Sequence, residues 1–89
     1  MTRAEITAAI LKIFSEQFEI ENPGLDDQLG VAYEFDSIDA IELLREIEVL
    51  LGTQLTRDEK KAAMEIRTIT HIVDYVENIA ASRAAQQPA

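Results

Sequence analysis

The sequence predicts an all-α fold, a small bundle of three longer helices plus one short helix. Three features carry this expectation. Apolar residues recur every three or four positions in three separate stretches, the spacing of one helix face. Helix-start signals stand immediately before the helical stretches. No stretch alternates apolar and polar residues as a half-buried strand would, and there is no internal repeat. With 89 residues the chain makes one domain, near the small end of what folds alone.

The first helix is expected over roughly Arg3 to Glu19. TRAE at Thr2–Glu5 is a capping box with Thr2 as N-cap, and Ile6, Ile10, Ile13, Phe14 and Phe18 share a face. ENPG at Glu21–Gly24 stops it. The next segment, GLDDQLGVAYEF, reads as a long loop. Its Leu25, Leu29, Val31, Tyr33 and Phe35 should pack it against the body, and long ordered loops in compact domains are often functional. Asp36 is the expected N-cap of the second helix, with Ala40, Leu43, Leu44, Ile47, Leu50 and Leu51 as a wide buried stripe and Gly52 ending it. TRDE at Thr56–Glu59 is another capping box and opens a short third helix toward Met64. Thr68 or Thr70 caps the last helix, where Ile69, Ile72, Val73, Val76 and Ile79 share a face. Residues 1–80 are read as the folded domain. The tail 81–89, ASRAAQQPA, lacks apolar periodicity and is expected to fray as a flexible C-terminal segment.

Charge narrows the function classes. Eight Lys and Arg face 17 Asp and Glu, a formal net charge of −9. Such a surface repels phosphate backbones, which argues against nucleic-acid partners, and favours protein partners with basic docking patches. Cysteine is absent, so a disulfide framework, a thiolate nucleophile and a cysteine zinc site are excluded. The first residues carry Arg3, Glu5 and Lys12 and lack the unbroken apolar core of a signal peptide. No apolar run is long enough to span a bilayer. A cytoplasmic monomer without membrane insertion is the expectation.

The stretch EFDSIDAIELLREIE, Glu34 to Glu48, places one serine among carboxylates at the start of a helix. At the first turn, the Ser37 hydroxyl would stand next to unpaired backbone N–H groups and the positive end of the helix dipole, where a phosphate ester is stabilised. Asp-Ser is equally well explained as a good helix start. A catalytic serine would need His71 and Asp74 brought to it, and no strand–turn–helix elbow surrounds Ser37. His71 has no second histidine or cysteine to join it as a metal ligand and reads as a surface or half-buried residue. Asp26 and Asp27 lack the spaced acids of a calcium loop. Neither catalytic nor metal-binding residues are therefore assigned. Asp39, Glu42 and Glu46 follow i, i+3, i+7 and stack on one side of the helix. Ile38 and Ile41 lie beside them, off the buried stripe. Like charges at this spacing cost stability, so the row is either a solvated face or, with its two isoleucines, a docking surface.

Taken together, these residues resemble the acyl carrier protein family. The likeness runs from the first helix to VDYV at Val73–Val76. The family's Asp-Ser-Leu followed by an acidic helix of the form DxxELxxxxE reads here DSIDAIELLREIE, with Ile38 in place of leucine. LGTQL at Leu51–Leu55 and TITHIVDYV at Thr68–Val76 match the segments that end this helix and begin the last one. The resemblance implies that Ser37, preceded by Asp36, receives 4′-phosphopantetheine from coenzyme A through a separate phosphopantetheinyl transferase. An acyl group would then ride on the cofactor's thiol as a thioester, the chemistry belonging to cofactor and partner enzymes. It also implies that Ile38, Asp39, Ile41, Glu42 and Glu46 form the surface for acyl-loading, ketosynthase or acyltransferase enzymes. The protein itself would not be an enzyme.

The chain departs from the family in places. Leu-Gly-x just before Asp-Ser is replaced by Tyr33, Glu34 and Phe35, and the pair Leu29-Gly30 lies too early. Arg45 stands where the recognition helix is commonly apolar. The segment from Leu55 to Ile69 is a few residues longer than the family norm. These differences point to a dedicated carrier in fatty-acid or polyketide-type biosynthesis, and DSIDAIEL resembles carriers of polyketide or aryl-polyene-type synthases. Two alternatives stay open. An aminoacyl or peptidyl carrier would ordinarily have a glycine-rich surround at the serine, which EFDS lacks. A cofactor-free acidic helical adaptor would leave the Asp-Ser motif and the downstream pattern unexplained.

Overall fold

The computed structural model describes residues 1–86. In chain order it comprises α1 (Arg3–Phe18), α2 (Leu29–Tyr33), α3 (Ser37–Leu51), α4 (Arg57–Ala62) continuing into a 3-10 turn (Ala63–Glu65), and α5 (Ile69–Gln86). The fold is the expected all-α bundle: α1 packs chiefly on α5 and also on α3, and among the described residues there is no strand. No helix among them is long and apolar enough to cross a membrane.

Each predicted helix start is present in atomic detail. Thr2 and Thr56 accept from the N–H of Glu5 and Glu59, and those glutamates reach back to the capping residue's N–H. Thr68 rather than Thr70 caps α5, its buried hydroxyl accepting from the His71 N–H at 3.1 Å. Thr70 instead donates its hydroxyl and its N–H to the Leu25 carbonyl, pinning the long connection to α5. Gly52 ends α3 at φ +66°, the left-handed conformation in which a side chain is strained.

Ile6, Ile10 and Phe14 of α1 meet Leu43 and Ile47 of α3 and Ile69, Ile72, Val73, Val76 and Ile79 of α5 in one core, completed by Leu29 and Leu55. Each such side chain, once buried, contributes about 1.5–3 kcal/mol. The stripe on α3 is narrower than expected: Leu44, Leu50 and Leu51 are only half-buried, Leu44 because α4 is short, buries no residue of its own and leaves a groove beside it, and Leu50 and Leu51 because they border notches against α1 and α5.

One reading of the sequence is corrected. The segment between α1 and α3 is not all loop, since Leu29–Tyr33 form a helix of 5 residues. Too short to show periodicity, it exists because Leu29 is buried and its N–H is held by the Arg67 carbonyl at 3.0 Å. Leu25 and Val31, expected to pack down, are exposed. Helix α5 runs past the expected domain end at residue 80 through residues 81–86, while residues 87–89 of the expected tail lie outside the described residues. Arg83 supplies the reason. Its Nη2 and Nη1 donate to the two Glu59 carboxylate oxygens at 2.6 and 2.9 Å. Its Nη2 also reaches the Gln54 carbonyl at 3.1 Å, and its Nε reaches Thr53 Oγ1 at 3.3 Å. Only about a fifth of either side chain in this ion pair is exposed. Tyr75 adds a hydroxyl donated to the Glu59 carbonyl at 2.6 Å. Burial, with the Glu59 and Glu48 carboxylates adding to it, pushes its hydroxyl pKa up to about 12, so it stays a donor throughout the neutral range. These bonds tie α4 to α5 in place of apolar packing.

The clamp makes a pH-dependent prediction. Hydrogen bonds from Arg83, and next from the Thr56 N–H, hold the Glu59 carboxyl below its usual range. A carboxyl depressed in the folded state contributes stability that is complete above the unfolded value of about 4.3 and is lost as pH falls through the folded value. Arg83→Met is expected to lower the urea midpoint at neutral pH and to flatten the loss of stability below about pH 4.3. Urea titrations of both proteins across that acid range check it. Parallel acid limbs for wild type and variant would rule the clamp out as a source of acid sensitivity.

Candidate functional site

Ser37 is the first residue of α3 and is exposed. Its position follows from two neighbours. Phe35, two residues before it, turns its ring inward between the α1 aromatics, 5.5 Å from Phe14 and stacked, and 5.4 Å from Phe18 edge-on. Asp36 then caps the helix: its Oδ1 accepts from the N–H groups of Ile38 and Asp39, both at 3.0 Å. Asp39 Oδ2 returns a bond from the Asp36 N–H at 3.1 Å. This corrects one expectation. The N–H groups of Ile38 and Asp39 are not free to receive a phosphate, because the side chain of Asp36 already occupies them.

The Ser37 hydroxyl makes no hydrogen bond among the described residues. No hydrogen bond joins it to His71 or Asp74 there. His71 Nδ1 accepts from the Arg67 N–H at 3.0 Å, and Asp74 pairs with Arg3 at 2.8 Å. Both residues expected to be needed for a catalytic serine are therefore engaged in holding the fold.

The approach to the serine explains the chain's unusual residues. Glu34, in the place where the resembled family has glycine, is the C-cap of α2 at φ +56°, a left-handed conformation that costs a non-glycine residue about 1–2 kcal/mol. The backbone keeps the glycine-like shape with a glutamate in it. The Tyr33 hydroxyl donates to Asp27 Oδ2 at 2.9 Å, and that hydrogen bond holds its pKa above the ordinary value. The same Asp27 oxygen accepts from the Gly24 N–H at 2.9 Å. A Cβ at Gly24 would come within 2.8 Å of the Asp27 carboxylate, so a side chain there would displace Asp27 from this bond.

Two grooves meet at Ser37. One, of about 330 Å³, lies between α2, the start of α3 and the 3-10 turn, with Gly30, Phe35, Ile66 and Arg67 on its walls. The other, of about 510 Å³, runs between α3 and α4, with Ile41, Leu44, Arg45, Glu48 and Lys60 on its walls. Ala40, Ala63 and Met64 line both. Small side chains at Ala40 and Ala63 keep the space open. Among the described residues there is no group of acids and histidines able to hold a metal ion.

The acidic row divides. Asp39 is used in the cap, Glu42 touches Arg45 at 4.0 Å, and Glu46 faces a notch against Lys12 and Gln17 of α1. Ile38 and Ile41 are 74% and 62% exposed, and Ile41 and Arg45, not the acids, border the groove. Sequence reasoning did not single out Ala63, Met64, Lys60 and Arg67. Met64, an exposed methionine (74%) next to two alanines, was the available signal.

An exposed serine with an unengaged hydroxyl, at a helix start where two grooves meet, fits a residue that is modified and from which an arm extends. The family model described as the phosphopantetheine attachment site matches residues 8–76. The chain belongs to the acyl carrier protein family. It is also similar to an acyl carrier protein of Lactobacillus johnsonii (strain CNCM I-12250 / La1 / NCC 533), 29% identical over 80 residues that cover 88% of this chain and 96% of the relative. Its prosthetic group is phosphopantetheine, and its function is to carry acyl groups by that attachment.

The cap geometry is testable in this carrier by itself. Removing an N-cap acceptor costs about 1 kcal/mol, and asparagine retains most of its effect. Asp36→Ala is expected to lose about that much stability and Asp36→Asn much less, read from urea midpoints at constant slope. Equal midpoints for Asp36→Ala and wild type would refute the capping role.

Proposed function

We propose that Ser37 is the attachment point of the 4′-phosphopantetheine arm, and that the protein ferries acyl intermediates as thioesters through a fatty-acid or polyketide-type pathway of a specialised kind. The observation that carries this reading is the exposed, unengaged Ser37 hydroxyl directly after the Asp36 cap, at the junction of the two grooves. The arm, when attached, supplies a thiol on which the acyl group is held. The chain's own residues anchor it, present it and address it. The protein works as a cytoplasmic monomer, and bond-making belongs to the partner enzymes.

The partners are a phosphopantetheinyl transferase and acyl-loading, ketosynthase or acyltransferase enzymes with basic docking patches. A strip of exposed Ile38 and Ile41, beside Asp39, Glu42 and Glu46 on the same helix, supports α3 as the docking face: charge steers the encounter and the isoleucines supply apolar area. The cargo we propose is short, polar or rigid. Phe35 fills the interior space next to α1, so an acyl group is left the open grooves beside α3 rather than a closed interior channel.

Incubation with coenzyme A and a broad-specificity transferase, read by intact mass, tests the assignment. Wild type is expected to gain one phosphopantetheine, and Ser37→Ala to gain none while keeping its helical content. Modification appearing on Ser15 or Ser82 in the variant would move the site. For the docking face, Glu42→Lys is expected to slow loading at low salt and to approach wild-type rates at high salt, because screening shortens the range of the attraction. Equal low-salt rates would remove Glu42 from the encounter.

A further inference from the structure

The first turn of α3 already holds two carboxylates. Asp36 occupies the N–H groups of Ile38 and Asp39, and Asp39 occupies that of Asp36. Most of what makes a helix start attract phosphate, free N–H groups and an uncompensated dipole, is spent here on side chains of the protein, which take the N–H groups of Asp36, Ile38 and Asp39. A phosphodiester on Ser37 would add a third negative charge beside them. A countercharge has to come from another element.

The cavity of about 330 Å³ beside Ser37 has one cation on its walls, Arg67. This residue is fixed at both backbone ends. Its N–H donates to His71 Nδ1 at 3.0 Å, and its carbonyl accepts from the Leu29 N–H at 3.0 Å. Its Nη1 donates to the carbonyls of Met64 and Ile66 at 2.7 and 2.8 Å. Nε and Nη2 have no acceptor among the described residues, and no carboxylate there pairs with the guanidinium. Among the bases left without an ion pair, Arg67 is the one that lines this cavity, held in place with its charge unspent.

We propose that Arg67 is the positioning residue for the phosphodiester on Ser37, pairing with it across this cavity through Nε and Nη2 and holding the root of the arm on the α2 side of α3. A planar guanidinium suits this role because its parallel N–H groups match two phosphate oxygens. The inference rests on the assignment of Ser37 as the attachment point. Capping of the 3-10 turn, a purely structural role, needs Nη1 alone and is indifferent to whether the arm is present.

That difference is the test. Apo and holo forms of wild type, Arg67→Gln and Arg67→Lys are prepared, with Arg57→Gln as a control outside the cavity, and loading is verified by mass. Melting temperatures are taken for each apo–holo pair, with phosphorus resonances of the holo forms and side-chain resonances of Arg67 in wild type. The holo form of Arg67→Gln is expected to melt lower relative to its own apo form than wild type does, a deficit that shrinks at high salt. Arg67→Lys is expected to recover part of it. The Arg67 side-chain resonances should move on loading, and the phosphorus resonance should shift in Arg67→Gln but not in Arg57→Gln. Comparing each variant with its own apo form cancels any loss from the 3-10 turn. Loaded protein with unmoved Arg67 resonances and equal apo–holo differences would overturn this inference alone. Failure of wild type to load would overturn the Ser37 assignment and this inference with it.

Discussion

The aromatic contact of Phe35 with Phe14 and Phe18 is the constraint on which the site depends. The three centroids lie 5.2 to 5.5 Å apart, within the range where tilted and offset rings attract beyond their buried area. Phe35 is the last residue before the α3 cap, so seating its ring on α1 fixes where Asp36 can cap and therefore where Ser37 emerges. Phe14 is also part of the central core. The face that carries Ser37 is thereby tied to the most buried part of the molecule, while Ser37 itself remains exposed.

A second constraint is the shortage of positive charge. The chain disposes of part of its acid excess locally: Glu5, Asp36, Asp39 and Glu59 accept backbone N–H bonds at helix starts, and Glu48 accepts the Leu55 N–H at 2.8 Å. Such bonds place negative charge at the favourable end of a helix dipole. Four of the eight basic residues, Arg57, Lys60, Lys61 and Arg67, fall between α4 and the start of α5, and none forms an ion pair among the described residues. The basic residues that border the two grooves beside Ser37 are Arg67 on one, and Lys60 and Arg45 on the other, with alanines and a methionine shared between them.

The structure also shows how a segment with no buried residue stays in place. The apolar side of α4 is too small to pack, so Arg83 and Tyr75 reach from α5 to Glu59 and the turn at Thr53 and Gln54. These are polar bonds at one end of α4. The other end, at Met64, borders the grooves.

The helices that announce themselves locally could be read from residue order alone. The capping boxes at Thr2 and Thr56, the Asp36 cap and the glycine stop at Gly52 act over a few residues; the periodic face of α5 became core as read, and that of α1 did so at Ile6, Ile10 and Phe14, with Ile13 and Phe18 half-buried against it. Ser37 at the first turn of α3 followed from the same local rules, and the family resemblance from the same motif. Other features depend on contacts that no local pattern contains. Helix α2 is shorter than the period that would reveal it and exists through Leu29 and a bond to Arg67. The run of α5 past residue 80 has no apolar periodicity to announce it, and there Arg83 meets Glu59, 24 residues away. Whether Asp36 left its helix start open to an anion, which way Phe35 turned, and that Arg67 shares a cavity with Ser37 are all outcomes of contacts between distant segments. Periodicity and capping report what a residue does with its near neighbours; a groove and the charge on its walls are made by elements that the chain brings together only on folding.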